Sequence, residues 1–398
     1  MINMRIARRS LKAGSILSAL VIFLFSSSVF AAETAEQALS KGMEYFNKSD
    51  FDRAISYFSR AIGIKTGDSD MYFTRGNAYQ NKGEYDQAIL DYTKALGFDP
   101  NDANIYFSRG NAYRNKSEYD LAILDYTKAI KLKSNDANIY FSRGNVYQNQ
   151  GNYDLAILDY ARAAALRGND ADVYFSRGNA YLSKGNFDRA IADFSKAMEL
   201  KPNDANIYFS RGNAYQNKGD YDRAIADFSK AIELNPASAN SYFSRGISYQ
   251  NKGDYDEAIS NFSKAIEFRP SDANAYSSRG SVNQNRGDYE RAIGDFSKAI
   301  ELNPNMVNLY LSRGNAYQNR GDYKRAIADF SKAIELNPAN VGTYSIRANA
   351  YYRQKDYEKA MEDMQTIEEL GGEPNADMLE ALKRVLGNKK VNVYLLSK

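Results

Sequence analysis

The chain has 398 residues, 43% of them hydrophobic and 25% charged, with no His, Cys or Trp. Those absences exclude an imidazole general base, a thiolate nucleophile, disulfides, a Cys/His zinc site and a thiolate-held cluster. The formal charge of +3 comes from the N-terminus: Arg5, Arg8, Arg9 and Lys12 precede the first acid, Glu33, and removing those four leaves 48 basic residues against 49 acidic ones. The body of the chain therefore has no bulk attraction for a polyanion.

The first 12 residues are basic, residues 13–25 are apolar or small, and Ser26 to Ser28 lead into Val29-Phe30-Ala31. This is the order of a secretory signal peptide, with Val29 and Ala31 at the −3 and −1 positions of a cleavage site after Ala31. Residues 1–31 are thus expected to be a signal peptide. Residues 13–32 carry no charge and, at about 20 residues, would span a bilayer if cleavage failed. Contact with a membrane is expected only in that case. The protein is expected to be exported, in a bacterial-type periplasm or secreted.

From residue 35 onward the chain repeats itself. Arg-Gly-Asn-Ala-Tyr stands at 75–79, 109–113, 177–181, 211–215 and 313–317, and small residues recur every 34 positions from Gly42 to Gly314 and Ala348. Ten repeats follow without slippage: 35–68, 69–102, 103–136, 137–170, 171–204, 205–238, 239–272, 273–306, 307–340 and 341–374. The windows 205–238 and 307–340 agree at 28 of 34 positions. Self-similarity at this period marks a stacked array in which one unit cannot bury its apolar face alone.

Each repeat reads as two helices. In 103–136, Tyr106, Gly110 and Tyr113 lie on one helical face, preceded by the capping candidates Asn101 and Asp102. Ser117 stands in the turn where Gly83, Gly151, Gly185 and Gly219 stand elsewhere, and Glu118 is expected to cap the second helix. Tyr119, Ala122, Tyr126 and Ala129 continue the apolar face. Gly110 and Ala122 are small because the two helices must approach closely there. After the tenth repeat, Met378, Leu379, Leu382, Val385 and Leu386 form one stripe, which predicts a capping helix over 375–387. The tail 388–398 is expected to fray or pack simply.

This spacing closely resembles the tetratricopeptide repeat, whose pattern runs W-x2-L-G-x2-Y, then A-x3-F, then P. Here it runs Y-x2-R-G-x2-Y, then A-x3-F/Y, then A, with Pro closing six repeats, at Pro100, Pro202, Pro236, Pro270, Pro304 and Pro338. The resemblance implies an all-α solenoid, a right-handed superhelix of ten helix-turn-helix units whose first helices line a concave groove. One departure carries a prediction. The family's Leu is basic in every repeat, Lys41 and then nine arginines, and an Asp lies sixteen residues on in eight of them. A lone buried Arg is costly, so pairs such as Arg109–Asp125, Arg177–Asp193 and Arg211–Asp227 are expected, partly buried.

The resemblance also places the second, fifth, ninth, twelfth and thirteenth residues of each repeat on the groove wall. The ninth is Asn77, Asn111, Asn145, Asn179, Asn213, Asn315 and Asn349; the twelfth includes Gln148 and Gln216, the thirteenth Asn149 and Asn217, the fifth Phe107, Phe141, Phe175 and Phe209. Amides can donate to and accept from an extended backbone, and interleaved Phe would anchor side chains. The family's carboxylate clamp needs a Lys at the fifth position, which is absent here. Recurring Ser-Lys pairs such as Ser229-Lys230 are adjacent on a helix, face different ways and make no catalytic dyad. No Gly-rich phosphate loop occurs. These residues predict a non-enzymatic scaffold for a protein or extended peptide, with no cofactor, metal, nucleic acid or small-molecule substrate. A structural assembly factor or tethered spacer in a cell-envelope complex, and a secreted factor acting on a host protein, remain alternatives.

Overall fold

The computed structural model describes residues 33–387. The signal peptide expected over 1–31 and the tail expected over 388–398 lie outside the described residues. The described elements are 21 α-helices, from Ala35–Asn47 to Ala376–Leu386, in successive helix-turn-helix pairs. They fall into two compact units, one ending at Ala180 and one beginning at Tyr181. No helix among the described residues is long and apolar enough to cross a membrane.

In the first unit, the helix Ala103–Asn115 starts at Asp102, whose Oδ1 accepts from the Asn104 N–H at 2.7 Å. It ends two residues before Ser117, which adopts φ 61°, the left-handed conformation that glycine takes in the equivalent turns (Gly151 φ 76°, Gly219 φ 84°). The second helix, Tyr119–Leu132, is not capped by the Glu118 side chain. Its carboxylate instead meets Lys116 Nζ at 2.6 Å. In the second unit the shorter Asp220 does cap, accepting from the Arg223 N–H at 3.3 Å.

The helix pair closes on one contact. A Cβ at Gly110 would lie 2.8 Å from the Tyr126 ring, and one at Gly212 equally close to Phe228. Bare backbone therefore lies flat on an aromatic face. Tyr92, Tyr126 and Tyr160 fill this place in the first unit and Phe228, Phe262, Phe296 and Phe330 in the second, all with no exposed surface. Full burial of such a ring contributes about 1.5–3 kcal/mol. Ala122 and Ala129 flank it, equally buried. Within each unit, first helices of neighbouring repeats also touch one another.

At the C-terminal end, Asn375 caps Ala376–Leu386 by accepting from the Met378 N–H at 2.9 Å. Leu382 is fully buried, and Met378, Leu379 and Leu386 pack with it against Met361, Met364 and Ile367 of the tenth repeat. Val385, expected in the same stripe, is 53% exposed. Among the described residues the capping helix covers one flank only, so a narrower stripe suffices.

Candidate functional site

Two sets of polar side chains recur along the array. The first is internal. Arg109 Nε and Nη2 donate to Asp125 at 2.7 and 2.8 Å, and Arg211 meets Asp227 at 2.8 and 2.7 Å. The carboxylates are buried and the guanidiniums half-buried. The bond from Asp227, outweighing burial, holds the Arg211 guanidinium above its ordinary pKa. Arg177 lies in the first unit and Asp193 in the second.

Eight of the nine arginines have a further bond that reaches backward, while Ala161 stands sixteen residues before Arg177. Arg109 Nη1 donates to Thr93 Oγ1 at 3.0 Å, Arg211 to Ser195 Oγ at 3.0 Å and Arg313 to Ser297 Oγ at 3.0 Å. One guanidinium thus joins the second helix of its own repeat to that of the repeat before. The bidentate fork occupies one edge and the hydroxyl the other, which suits arginine's planar donor set and not lysine's point charge. The signal lay in the recurring Ser-Lys pairs: their Ser sits sixteen residues before the next arginine, the mirror of the Asp sixteen residues after. Repeat seven has Asn261 for Asp, and its Oδ1 accepts from Arg245 Nε at 2.7 Å. In repeat one Lys41 turns to Glu33 at 3.2 Å.

The second set lies on the first helices. Asn77, Asn111, Asn145, Asn179, Asn213, Asn315 and Asn349 are all half-buried, while Asn149 and Asn217 are exposed. Their hydrogen bonding differs between the units. In the first, the buried tyrosines donate to them: Tyr92 Oη to Asn77 Oδ1 at 2.8 Å, Tyr126 to Asn111 at 2.8 Å and Tyr160 to Asn145 at 2.7 Å. Gln148 Oε1 lies 2.9 Å from the same Tyr160 hydroxyl. These acceptors are committed to the fold, and only the amide N–H groups are left for a ligand.

In the second unit the ring is Phe, which has no hydroxyl to donate. The side chains of Asn213 and Asn315 make no hydrogen bond among the described residues, and neither does that of Gln216. Gln318 Oε1 is buried with no partner, and Asn217 Nδ2 donates back to the Asn213 carbonyl at 2.9 Å. The second position adds exposed Asn206, Asn274 and Asn308 to the same face, residues that periodicity alone did not single out. Phe107, Phe141 and Phe209 are half-buried, each with its ring centroid 5.7–5.8 Å from that of the buried ring nineteen residues on, Tyr126, Tyr160 and Phe228. They serve the helix pair first, with one edge left for a ligand. Phe175 is likewise half-buried.

Family models cover most of this array. The one described as "Cilia and flagella-associated protein 70 C-terminal domain" matches residues 146–382, "TPR repeat" matches 76–117 and 110–151, and "Tetratricopeptide repeat" matches 38–68. The chain belongs to the tetratricopeptide-repeat family. Among solved structures, a MamA protein is 32% identical over 43% of this chain and 93% of its own, with a TM-score of 0.41. YrrB, described as a TPR protein with an unusual peptide-binding site, is 27% identical over 46% of this chain and 95% of its own, with a TM-score of 0.43. The C-terminal part of a TPR repeat-containing protein from Cytophaga hutchinsonii is 21% identical over 60% of this chain and 98% of its own, with a TM-score of 0.54, a likeness of fold. No curated relative matches the chain. Tetratricopeptide arrays are protein-interaction scaffolds, and this chain is one of them.

Proposed function

We propose that the array is an exported, non-enzymatic scaffold that holds an extended polypeptide along its first helices, chiefly those of the second unit. One observation carries this reading: where the tyrosine hydroxyl of repeats two to four is replaced by a phenylalanine edge, the amides of Asn213 and Asn315 and the buried oxygen of Gln318 are left without a partner. An unpaired buried acceptor costs about 1–3 kcal/mol, and a peptide N–H would satisfy it. Spaced amides contact backbone more than side chains, so the preference among sequences is loose. Export follows from the basic, apolar and small-residue order of residues 1–31.

The test is affinity capture from envelope lysate with the wild-type protein and with an Asn213→Ala/Asn315→Ala double variant, both verified as folded by circular dichroism and melting. A partner captured by the first and lost from the second is the expected result. Equal capture by both would remove this face from the function.

A further inference from the structure

Nine of the ten repeats carry a tyrosine at the eleventh position, from Tyr45 to Tyr351, and repeat eight alone carries Asn283. Where the tyrosine is present, cations approach its ring from one or both of two directions in most repeats. The Asp-paired arginine approaches first: Arg75 to Tyr79, Arg109 to Tyr113, Arg143 to Tyr147, Arg211 to Tyr215 and Arg347 to Tyr351, all at 5.7–5.9 Å from the centroid. A second cation comes from the following helix: Arg53 over Tyr45 at 5.4 Å, Arg223 over Tyr215 at 5.1 Å, Arg325 over Tyr317 at 5.7 Å and Lys359 over Tyr351 at 5.5 Å. Tyr215 and Tyr351 are held by both at once.

Repeat eight keeps both cations, Arg279 and Arg291, and lacks the ring. A cavity of about 360 Å³ lies there, bounded by these two arginines, Asn283 and Asp295, with Ile259, Ser263 and Gly294 completing its wall. The cavity is built and not slack. Arg279 holds Asp295 at 2.7 Å and Ser263 at 2.9 Å, and Asn283, 3% exposed, donates to Asp295 at 3.1 Å. The Arg279 side chain is 24% exposed against 16% for Arg211, as expected of a guanidinium with a face uncovered. Arg291 stands exposed at the rim, and a Cβ at Gly294 would meet nothing within 4 Å, so the opening is bare there.

We propose that repeat eight is a socket for a single phenol-type ring, supplied as a tyrosine side chain by a protein partner and seated between Arg279 and Arg291. The volume is at the small end of ligand sites, room for one aromatic side chain and not for a cofactor. Two guanidiniums match the negative faces of an aromatic ring and repel a cationic ligand. Asn283 and Asp295 offer polar groups at the closed end, which a phenol hydroxyl can meet and a benzyl ring cannot. The site joins Arg279 and Asn283 of a first helix to residues of two second helices and uses none of the groove amides. It rests on the scaffold reading only in assigning the ring to a protein.

The probe is 4-fluorophenol, followed by ligand-observed ¹⁹F NMR on the purified protein. The expected result is saturable broadening with a dissociation constant of about a millimolar, the range open to so small a ligand. Asn283→Tyr refills the socket with the residue the other repeats use. It should raise the melting temperature and weaken probe binding at least tenfold. Arg291→Ala, an exposed change that leaves the core intact, should weaken binding several-fold. A short peptide bearing one tyrosine should displace the probe, and its alanine counterpart should not. Equal broadening by wild type and a folded Asn283→Tyr variant, or no saturable broadening at all, overturns the socket. Probe binding without displacement by the tyrosine peptide overturns the protein partner alone. None of these readouts moves if the amide face proves inert, so the two readings fail separately.

Discussion

Consider the Arg211–Asp227 pair as a perturbation. Two N–H···O bonds of 2.8 and 2.7 Å join side chains that are 16% and 7% exposed, and a third bond runs from Arg211 to Ser195 at 3.0 Å. Arg211→Ala leaves a carboxylate buried with no partner and should cost about 4 kcal/mol. Asp227→Ala leaves a guanidinium that can turn its head toward water along its stem and should cost about 3 kcal/mol. With both gone no charge is stranded, so the double variant should cost about 4–5 kcal/mol, giving a coupling of about 2–3 kcal/mol. Repeat seven supplies the control: Asn261 there keeps one bond to Arg245, at 2.7 Å, and donates its own N–H to the Glu257 carbonyl at 2.8 Å. Asp227→Asn should accordingly cost only about 1 kcal/mol. The assay is urea unfolding of the four proteins of the cycle, fitted with nearest-neighbour coupling between repeats because such arrays need not unfold in one step. Repetition at high salt should change the coupling little, since the pair is sheltered. A coupling within about 0.5 kcal/mol of zero, the usual limit of additivity for independent sites, would refute the reasoning.

Three further outcomes follow from the same contacts. Gly212→Ala puts a methyl 2.8 Å from the Phe228 ring and should destabilise by about 1–3 kcal/mol on chemical denaturation; repeat ten tolerates Ala348 because Met364, a flexible side chain, stands where the ring would be. Alkali should weaken the first unit before the second. Burial pushes the Tyr92, Tyr126 and Tyr160 phenols above their ordinary value of 10.0, so their contribution is complete below pH 10 and is lost as pH rises beyond it. Replacing all three by Phe should remove the difference in a melting series from pH 8 to 11, and an unchanged alkaline profile would count against it. Ser195→Ala takes away the link from Arg211 to the preceding repeat while sparing the Asp227 pair, and should cost about 1 kcal/mol, seen as weaker coupling between repeats five and six; a loss equal to that of Asp227→Ala would mean the hydroxyl and not the carboxylate secures the guanidinium.

The amino-acid sequence alone determined what depends on short-range regularity. A 34-residue period with apolar residues at helical spacing admits only paired helices, and Gly110 opposite Tyr126 could be anticipated because close helix approach needs a residue without a side chain. Arg and Asp sixteen residues apart were likewise legible as candidates, since a buried Arg demands an anion within one helix pair. Tertiary structure decided whatever depends on a choice between competing partners. Glu118 could cap a helix or meet Lys116, and in the folded chain it meets the lysine. Ser195 could have pointed to water, and stacking brought Arg211 to it. Val385 shares the stripe by spacing and yet is 53% exposed, because Met378, Leu379, Leu382 and Leu386 are the residues that meet the tenth repeat. The Asn residues at the ninth position look alike in sequence, yet a hydroxyl on the neighbouring helix ties up Asn77, Asn111 and Asn145 and its absence leaves Asn213 and Asn315 open. Asn283 reads as one more substitution in a repeat until Arg279 and Arg291 are seen lining the same space beside it.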